Sequence, residues 1–409
     1  MITPAPIAIT GLGVIGAAGP GGPALAAALA AGRPLLSPVD RDAGYHEDGS
    51  ARQAALVGPL NTGDWIPPLA ARRMSPPSRH AVIAAVMALE QAGLAAEAPA
   101  LVEGGVALAT AFGPVSHTER LLRQIESEGP AAASPALFTE CVANAPAAQL
   151  AIRFGLHGPN YAIGAREAGA LMAVGRAATD IREGRVGLAL AGAVDELTPL
   201  LHSILDRFHA LARERNGLDE RARPFDRLRN GFVAAEGAAV LVLEERGAAA
   251  ARRAAILAWV RAWGQAFDWT ASRNGWGTGA AALARTLRAD LARHDLEPGS
   301  IDLIVSGASG SVAGDRLEAR MLHALWNGVP LPPVVTPKAV TGEYGGGFLA
   351  SAVLAASGAT FDGGPGFERP DPELWIVPAD RTAFRAARRL LVTSVAAGGT
   401  ASWLVLERP

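Results

Sequence analysis

Apolar stretches of strand length alternate with helix-length amphipathic stretches from one end of this chain to the other. Residues 7–10, 105–111, 188–193, 238–244, 255–266, 301–306, 390–394 and 402–406 read as strands. Residues 22–31, 79–92, 146–154, 167–183, 279–294, 316–325 and 347–356 read as helices. Runs such as VGLALAGAV and GAAVLVLEE are apolar at consecutive positions. A strand of that kind needs cover on both faces. The alternation therefore specifies an α/β fold, with a buried sheet between helical layers. Residues 37–68 and 357–384, rich in Gly and Pro, read as loops that shape a surface entrance or a contact face.

The pattern occurs twice. The helix at 81–92, a short linker and the strand VALATAFG resemble the helix at 280–293, HDLEPGS and the strand IDLIVSGASG. VGLALAGAVDE and LLVTSVAAGGTASWLVLE form a second matching pair. Two related halves, 1–250 and 251–409, follow, with RGAAAARRAA as the connector.

The segment NYAIGAREAGALMAVG, residues 160–175, carries the chemistry. An apolar strand enters a tight small-residue turn and a helix begins at once. Such an elbow lifts a nucleophile to a helix N-terminus, where free N–H groups stabilise a thiolate or an oxyanion. Here the elbow holds Arg166 and Glu167. Arginine stays protonated and has no lone pair to offer an acyl carbon. The chain has the geometry of a covalent catalyst without its reactive atom.

Composition narrows the rest. A net charge of −2 gives no electrostatic case for nucleic acid. No run approaches the ~20 apolar residues of a membrane helix, and Met1 leads into IAIT without a basic leader. A single cysteine, Cys141, excludes an internal disulfide and a cysteine-based zinc site. Eight histidines show no paired-ligand spacing. The expectation is a soluble, cytoplasmic protein with no metal and no cofactor. Cys141 reads as a buried, inert thiol. His202 and His209 lie one heptad apart on a helical pattern, and residues 212–223, ARERNGLDERAR, read as solvated helical turns that could attract an acidic partner.

Several motifs fall in one order along the chain: AITGLGVIG, NAPAAQLAIRFGLHGPNYAI, ARPFDRLRNGFVAAEGAAVLVLEE, GDRLE, TPKAVTGEYGGG and SVAAGGTASWLVLER. Together they resemble the β-ketoacyl synthase family over nearly the whole length. The resemblance implies a thiolase-like layered αβαβα fold built from two related halves. It also explains Gly11, Gly13 and Gly16 as turn formers rather than a dinucleotide fingerprint, for which the acid about 20 residues on is missing.

Members of the family condense acyl chains with one cysteine and two histidines, taking a malonyl extender from acyl carrier protein. By resemblance the cysteine falls on Arg166, the first histidine on or beside Gly307 and the second on Glu343. No intact catalytic residue is expected. A gating phenylalanine falls on Ala397. Lys338, the only lysine, matches a buried family lysine, and Asp315 and Glu318 match an acidic pair nearby. With Glu236 they are expected to form a charge-paired structural network, since an unpaired interior charge is costly. Arg166 and Glu343 would face each other, either as a buried ion pair or with Arg166 turned outward.

The pattern looks like chain-length-factor subunits of type II polyketide and polyene synthases. These lack the cysteine, pair as a heterodimer with a catalytic ketosynthase subunit and help wall its tunnel; they often carry Gln at the nucleophile position, from which Arg166 departs. Phe138, Thr139, Glu140, Cys141 and Val142 are then candidate tunnel or interface residues. The implied partners are the ketosynthase and acyl carrier protein. The alternative is an enzyme with remodelled acyl-transfer or hydrolytic chemistry, drawing on Ser309, Ser311, Glu343 and Tyr344; a hydroxyl nucleophile would need a positioned base.

Overall fold

The computed structural model describes residues 5–215 and 217–409. The strands that matter are β1 (Ile7–Gly16), β2 (Gly105–Ala109), β3 (Asn160–Ile163), β4 (Leu188–Asp195), β5 (Gly237–Glu244), β6 (Ala258–Phe267), β7 (Leu303–Ser306), β8 (Val334–Val335), β9 (Arg389–Val395) and β10 (Thr400–Glu407). The principal helices are α1 (Pro76–Ala92), α2 (Val115–Glu128), α3 (Pro135–Cys141), α4 (Ala145–Phe154), α5 (Gly169–Arg182), α6 (Pro199–Arg207), α7 (Ala280–Arg293), α8 (Val312–Trp326) and α9 (Gly345–Ala356).

The strands follow the order β8-β7-β9-β10-β6-β1-β5-β4-β2-β3. Each side of the β6–β1 junction repeats one scheme. In the first, β2 is parallel to β3 and β4, and β5 runs antiparallel to β4 and β1. In the second, β7 is parallel to β8 and β9, and β10 runs antiparallel to β9 and β6. Antiparallel pairing of Ile7–Ile9 with Val260–Ala258 joins the two.

Alternation along each strand sets the layers. On β5, Ala239, Leu241 and Leu243 enter a central core with α5 and α9, while Ala238, Val240 and Val242 enter an outer core with α1 and α4. On β10, Leu404 and Leu406 face the same central core, and Trp403 and Val405 face a second outer core with α7 and α8. The result is helix, sheet, helix, sheet, helix. The consecutive apolar runs in the sequence are strands covered on both faces.

Three sequence expectations change. Gly11 and Gly13 are not turn formers: both lie inside β1, where an added Cβ would fall into the backbone of α1 at Ala88 and Ala84. They allow close helix-on-strand contact. The α6 helix ends at Arg207, so His209, with φ 55°, lies beyond it. Residues 212–215 and 217–223 form irregular chain rather than helix. Several of their arginines are already paired: Arg213 with Asp206 at 2.8 Å, Arg221 with Asp219 and Glu368, and the buried Arg223 with Asp219.

The 357–384 segment is irregular apart from a short 3-10 turn at Arg381–Phe384. It is nevertheless pinned by the PFDRLRN motif. Asp226 accepts from the backbone N–H groups of Glu368 and Arg369, both at 2.6 Å, and Arg229 pairs with Asp371 at 2.6 Å. No helix among the described residues is long and apolar enough to cross a membrane.

Candidate functional site

The elbow forms where β3 delivers the chain to α5. Arg166 takes φ 46°, a left-handed conformation that a bulky side chain adopts at a cost of roughly 1–2 kcal/mol. A single 3-10 turn, Arg166–Ala168, precedes α5. The Ser394 hydroxyl of β9 donates to the Glu167 carbonyl at 2.8 Å and ties the elbow to the second half.

Arg166 turns to the rim. Its guanidinium donates to Asn274 Oδ1 at 2.9 Å and reaches the Ala397 carbonyl at 3.4 Å. It makes no ion pair with Glu343, so the outward alternative is the one realised. Glu343 pairs instead with Lys338, Nζ to Oε1 2.6 Å. Lys338 has no solvent exposure and Glu343 side-chain exposure is 9%. The ammonium also sits 4.9 Å from the centre of the Phe348 ring, a cation–π distance.

The elbow residue coupled to that pair is Glu167, which the sequence reading passed over. Burial and then the nearby Glu343 carboxylate push its carboxyl up to about 7, against the pull of Lys338 and Arg166. Helix-end electrostatics was the available signal. A first-turn acid suits the positive end of a helix and an arginine does not.

The remaining acids do not join Lys338. Asp315 accepts from the N–H groups of Phe225, Ser309 and Gly310. Glu318 accepts from Ser306, Thr393 and the Gly307 N–H. Neutral donors replace the expected charge pairing, and burial leaves these carboxyls raised to about 6 and about 7. Together they hold the 306–310 loop in place. Glu236 stands apart, accepting from Val57 N–H at 3.0 Å and Leu197 N–H at 3.1 Å. At Gly307 a Cβ would come within 2.8 Å of the Thr393 carbonyl and 2.9 Å of Ser394 Oγ. The position lacks both the imidazole and the room for one.

A cavity of about 540 Å³ opens over this cluster. Glu167, Asp195, Glu196, Glu343 and Tyr344 line it, as do Arg166, Asn274 and Ala397. Leu201, Ile204 and Leu205 of α6, with Phe208, Phe232, Trp276 and Val312, supply apolar walls. Asp195 accepts from Ala111 N–H at 2.7 Å and Gly345 N–H at 3.4 Å, and burial raises it to about 6. Ser311 also lines the cavity, but its hydroxyl caps α8 by accepting from Gly314. Tyr344 donates to the Ile15 carbonyl at 3.3 Å and burial raises its pKa. Ser309 is buried away from the lining. No histidine is within hydrogen-bond reach of these hydroxyls, and among the described residues no cluster suited to a metal ion occurs.

The proposed interface residues divide. Phe138, Thr139 and Val142 are exposed on and just after α3, with Phe138 60% exposed. Glu140 is buried and caps α1 instead, accepting from Ser75 N–H at 2.8 Å and Ser78 Oγ at 2.7 Å. Cys141 is half-buried; its thiol reaches the Leu137 carbonyl and burial raises its pKa.

The raised Glu167 carboxyl has a pH signature. A native carboxyl held above its unfolded pKa adds stability below about pH 4.5 and loses it as pH rises through about 7. Glu167→Gln removes that titration. Its unfolding free energy should gain on the parent's between about pH 5 and pH 7, with a limiting slope of about 1.4 kcal/mol per pH unit. Parallel profiles would contradict the assignment.

Residues 5–249 match the family model for the β-ketoacyl synthase N-terminal domain. The chain is 30% identical to the tetracenomycin polyketide synthase ketoacyl synthase beta subunit of Streptomyces glaucescens, across 92% of this chain and 91% of that protein. It is 29% identical to the alpha subunit from the same organism, across 98% and 97%. Among solved structures, a chain of the ishigamide ketosynthase/chain length factor superposes with a TM-score of 0.86 at 26% identity, covering 99% of this chain and 100% of that one. The layers and the repeated strand scheme are those of the thiolase-type fold.

Proposed function

The chain belongs to the β-ketoacyl synthase family, and on that premise we propose that it is a chain-length-factor-type subunit. It forms no acyl-enzyme, pairs with a catalytic ketosynthase and walls the tunnel of the growing chain. Near-equal identity to alpha and beta subunits does not separate the two roles. One observation carries the reading: the elbow presents a carboxyl to a Lys338–Glu343 pair, where a condensing enzyme needs a thiol facing imidazoles.

We place the lost nucleophile position on Glu167 rather than Arg166. A protonated glutamic acid has the shape of glutamine and can donate a hydrogen bond as glutamine does. The departure from the glutamine common in chain-length factors thereby shrinks to one atom. Remodelled acyl transfer finds no support: Ser311 and Tyr344 are committed to structural bonds and lack a base. Condensation assays give the test. The purified chain should show none, and co-expression with its ketosynthase should yield a 1:1 complex that condenses. Robust condensation by the chain alone would refute the proposal.

The carrier protein is assigned to a surface different from residues 212–223, where several arginines are neutralised. A groove of about 900 Å³ between α2, α3 and the 72–73 turn is lined by Arg72, Arg73, His117, Arg120 and Arg123. Arg123 pairs with Glu119, while Arg72, Arg73 and Arg120 have no ion pair among the described residues. Unpaired cations attract an acidic partner and speed its encounter. Reversal of Arg72 and Arg73 to Glu should weaken carrier binding by at least about tenfold at low salt. Unchanged affinity would move the docking site elsewhere.

A further inference from the structure

Away from the elbow, one pair of side chains makes more hydrogen-bond contacts than two neutral rings can fill. The segment 37–54 is closed on itself by the pairing of Ser37 and Pro38 with Ala54 and Gln53, and it carries a short helix, Arg41–Gly44. His46 follows that helix and meets His202 of α6, Nε2 to Nδ1 2.8 Å. The two outer nitrogens both face carbonyls: His46 Nδ1 lies 3.2 Å from the Arg41 oxygen, and His202 Nε2 lies 3.2 Å from the Gln53 oxygen. A carbonyl only accepts. Three contacts therefore need three N–H protons, and two neutral imidazoles carry two. Whichever tautomers the neutral rings take, one contact sets lone pair against lone pair. His202 has no solvent exposure, and burial lowers its pKa to about 4. It stays neutral near pH 7, donating from Nε2 to Gln53 and accepting at Nδ1. The missing proton then belongs on the half-buried His46, which as a cation donates from both nitrogens.

We infer that the His46–His202 pair is a one-proton clamp that fastens the 37–54 segment to α6, tight while the third proton is bound and slack once it leaves. The fit is close: a Cβ on Gly44 would fall on the His46 ring and on the Pro199 carbonyl. Charged groups surround the pair on three elements: Arg41 and Glu47 on the segment, Asp206 and Arg207 on α6, and Arg213 and Glu220 on the chain after it. Asp206 favours a cation here and Arg41 opposes one. Glu47 is paired with Arg207 at 3.3 Å and Asp206 with Arg213 at 2.8 Å, while Glu220 accepts from the N–H groups of Arg52 and Gln53. Leu201, Ile204 and Leu205 of α6 wall the cavity, so slackening at this contact reaches it. The clamp slackens as pH rises and the third proton leaves. Acid below the ordinary histidine value of 6.5 also works against it, because release lets His202 take the proton that burial denies it.

Long-range proton–nitrogen NMR on the full chain with labelled histidine tests the proton count, with both rings assigned through their backbones. At pH 7.5 the pair should show three N–H protons, two on His46 and one on His202 Nε2; at pH 9 it should show two. Hydrogen exchange reads the clamp itself. After correction for the intrinsic rate, amides of residues 39–54 should lose protection by about tenfold between pH 7.5 and pH 9. His46→Gln has no titrating ring, so its protection in this segment should be lower than the parent's at pH 7.5 and the same at both pH values. Two N–H protons at pH 7.5, parent protection that ignores pH, or a variant that keeps the parent's pH dependence would each overturn the inference. The proton count needs only the parent chain, and none of these outcomes depends on ketosynthase pairing.

Discussion

Lys338→Met should destabilise the folded chain by about 3–5 kcal/mol, the usual penalty for removing one member of a buried ion pair. The side chain is fully enclosed, and its ammonium is the charge within 2.6 Å of Glu343 Oε1. Without it, Glu343 and Glu167 face each other over a floor that also holds Asp195. Most of the loss comes from leaving a carboxylate unpaired rather than from the worth of the bond itself. The double substitution Lys338→Met with Glu343→Leu should therefore recover most of it. Denaturant unfolding of the two variants checks this. A single mutant within about 1 kcal/mol of the parent would show that the pair is not the buried anchor described here.

Gly13→Val should leave little folded protein. A Cβ at this position points into the Ala84 carbonyl and the backbone of α1. The obstacle is main chain, which cannot rotate aside as a side-chain tip can, and overpacking of rigid neighbours commonly costs 1–3 kcal/mol or more. Here α1 would have to lift from β1 along much of its buried face, so the expected loss is at the top of that range or above it. Gly19→Ala is the control, since no heavy atom lies within 4 Å of its Cβ position, although its φ of 93° makes some cost unavoidable. Comparable soluble yield and melting temperature for Gly13→Val and the parent would contradict the packing.

Much of the layering was legible because burial on two faces leaves a direct trace. The consecutive apolar residues of β5 and β10 admit no solvent-facing side. Helix α2 was missed: it is strongly polar, with Leu121 its one buried residue, so its periodicity carried little apolar signal. The glycines of β1 were misread because a turn glycine and a packing glycine look the same in one dimension. What separates them is a helix brought from more than seventy residues away.

At the site, the residue types were legible and their orientations were not. Lys338 and Glu343 are five residues apart, and their pairing depends on Gly342, whose φ of 73° reverses the chain between them. The choice between Arg166 and Glu167 rests on one left-handed residue, which turns the arginine outward and leaves the acid inside. Asp315 and Glu318 looked like charge partners for the lysine. Their partners are backbone N–H groups and hydroxyls, which sequence spacing does not display.

The intact mass of this subunit after incubation with an acyl thioester, alone and in complex with its ketosynthase, probes the account at its centre. The elbow holds a carboxyl and an arginine, and Cys141 lies outside the cavity with its thiol against the Leu137 carbonyl. This chain should keep its unmodified mass in both samples while the partner gains one acyl group. A covalent acyl adduct on this chain would contradict the account.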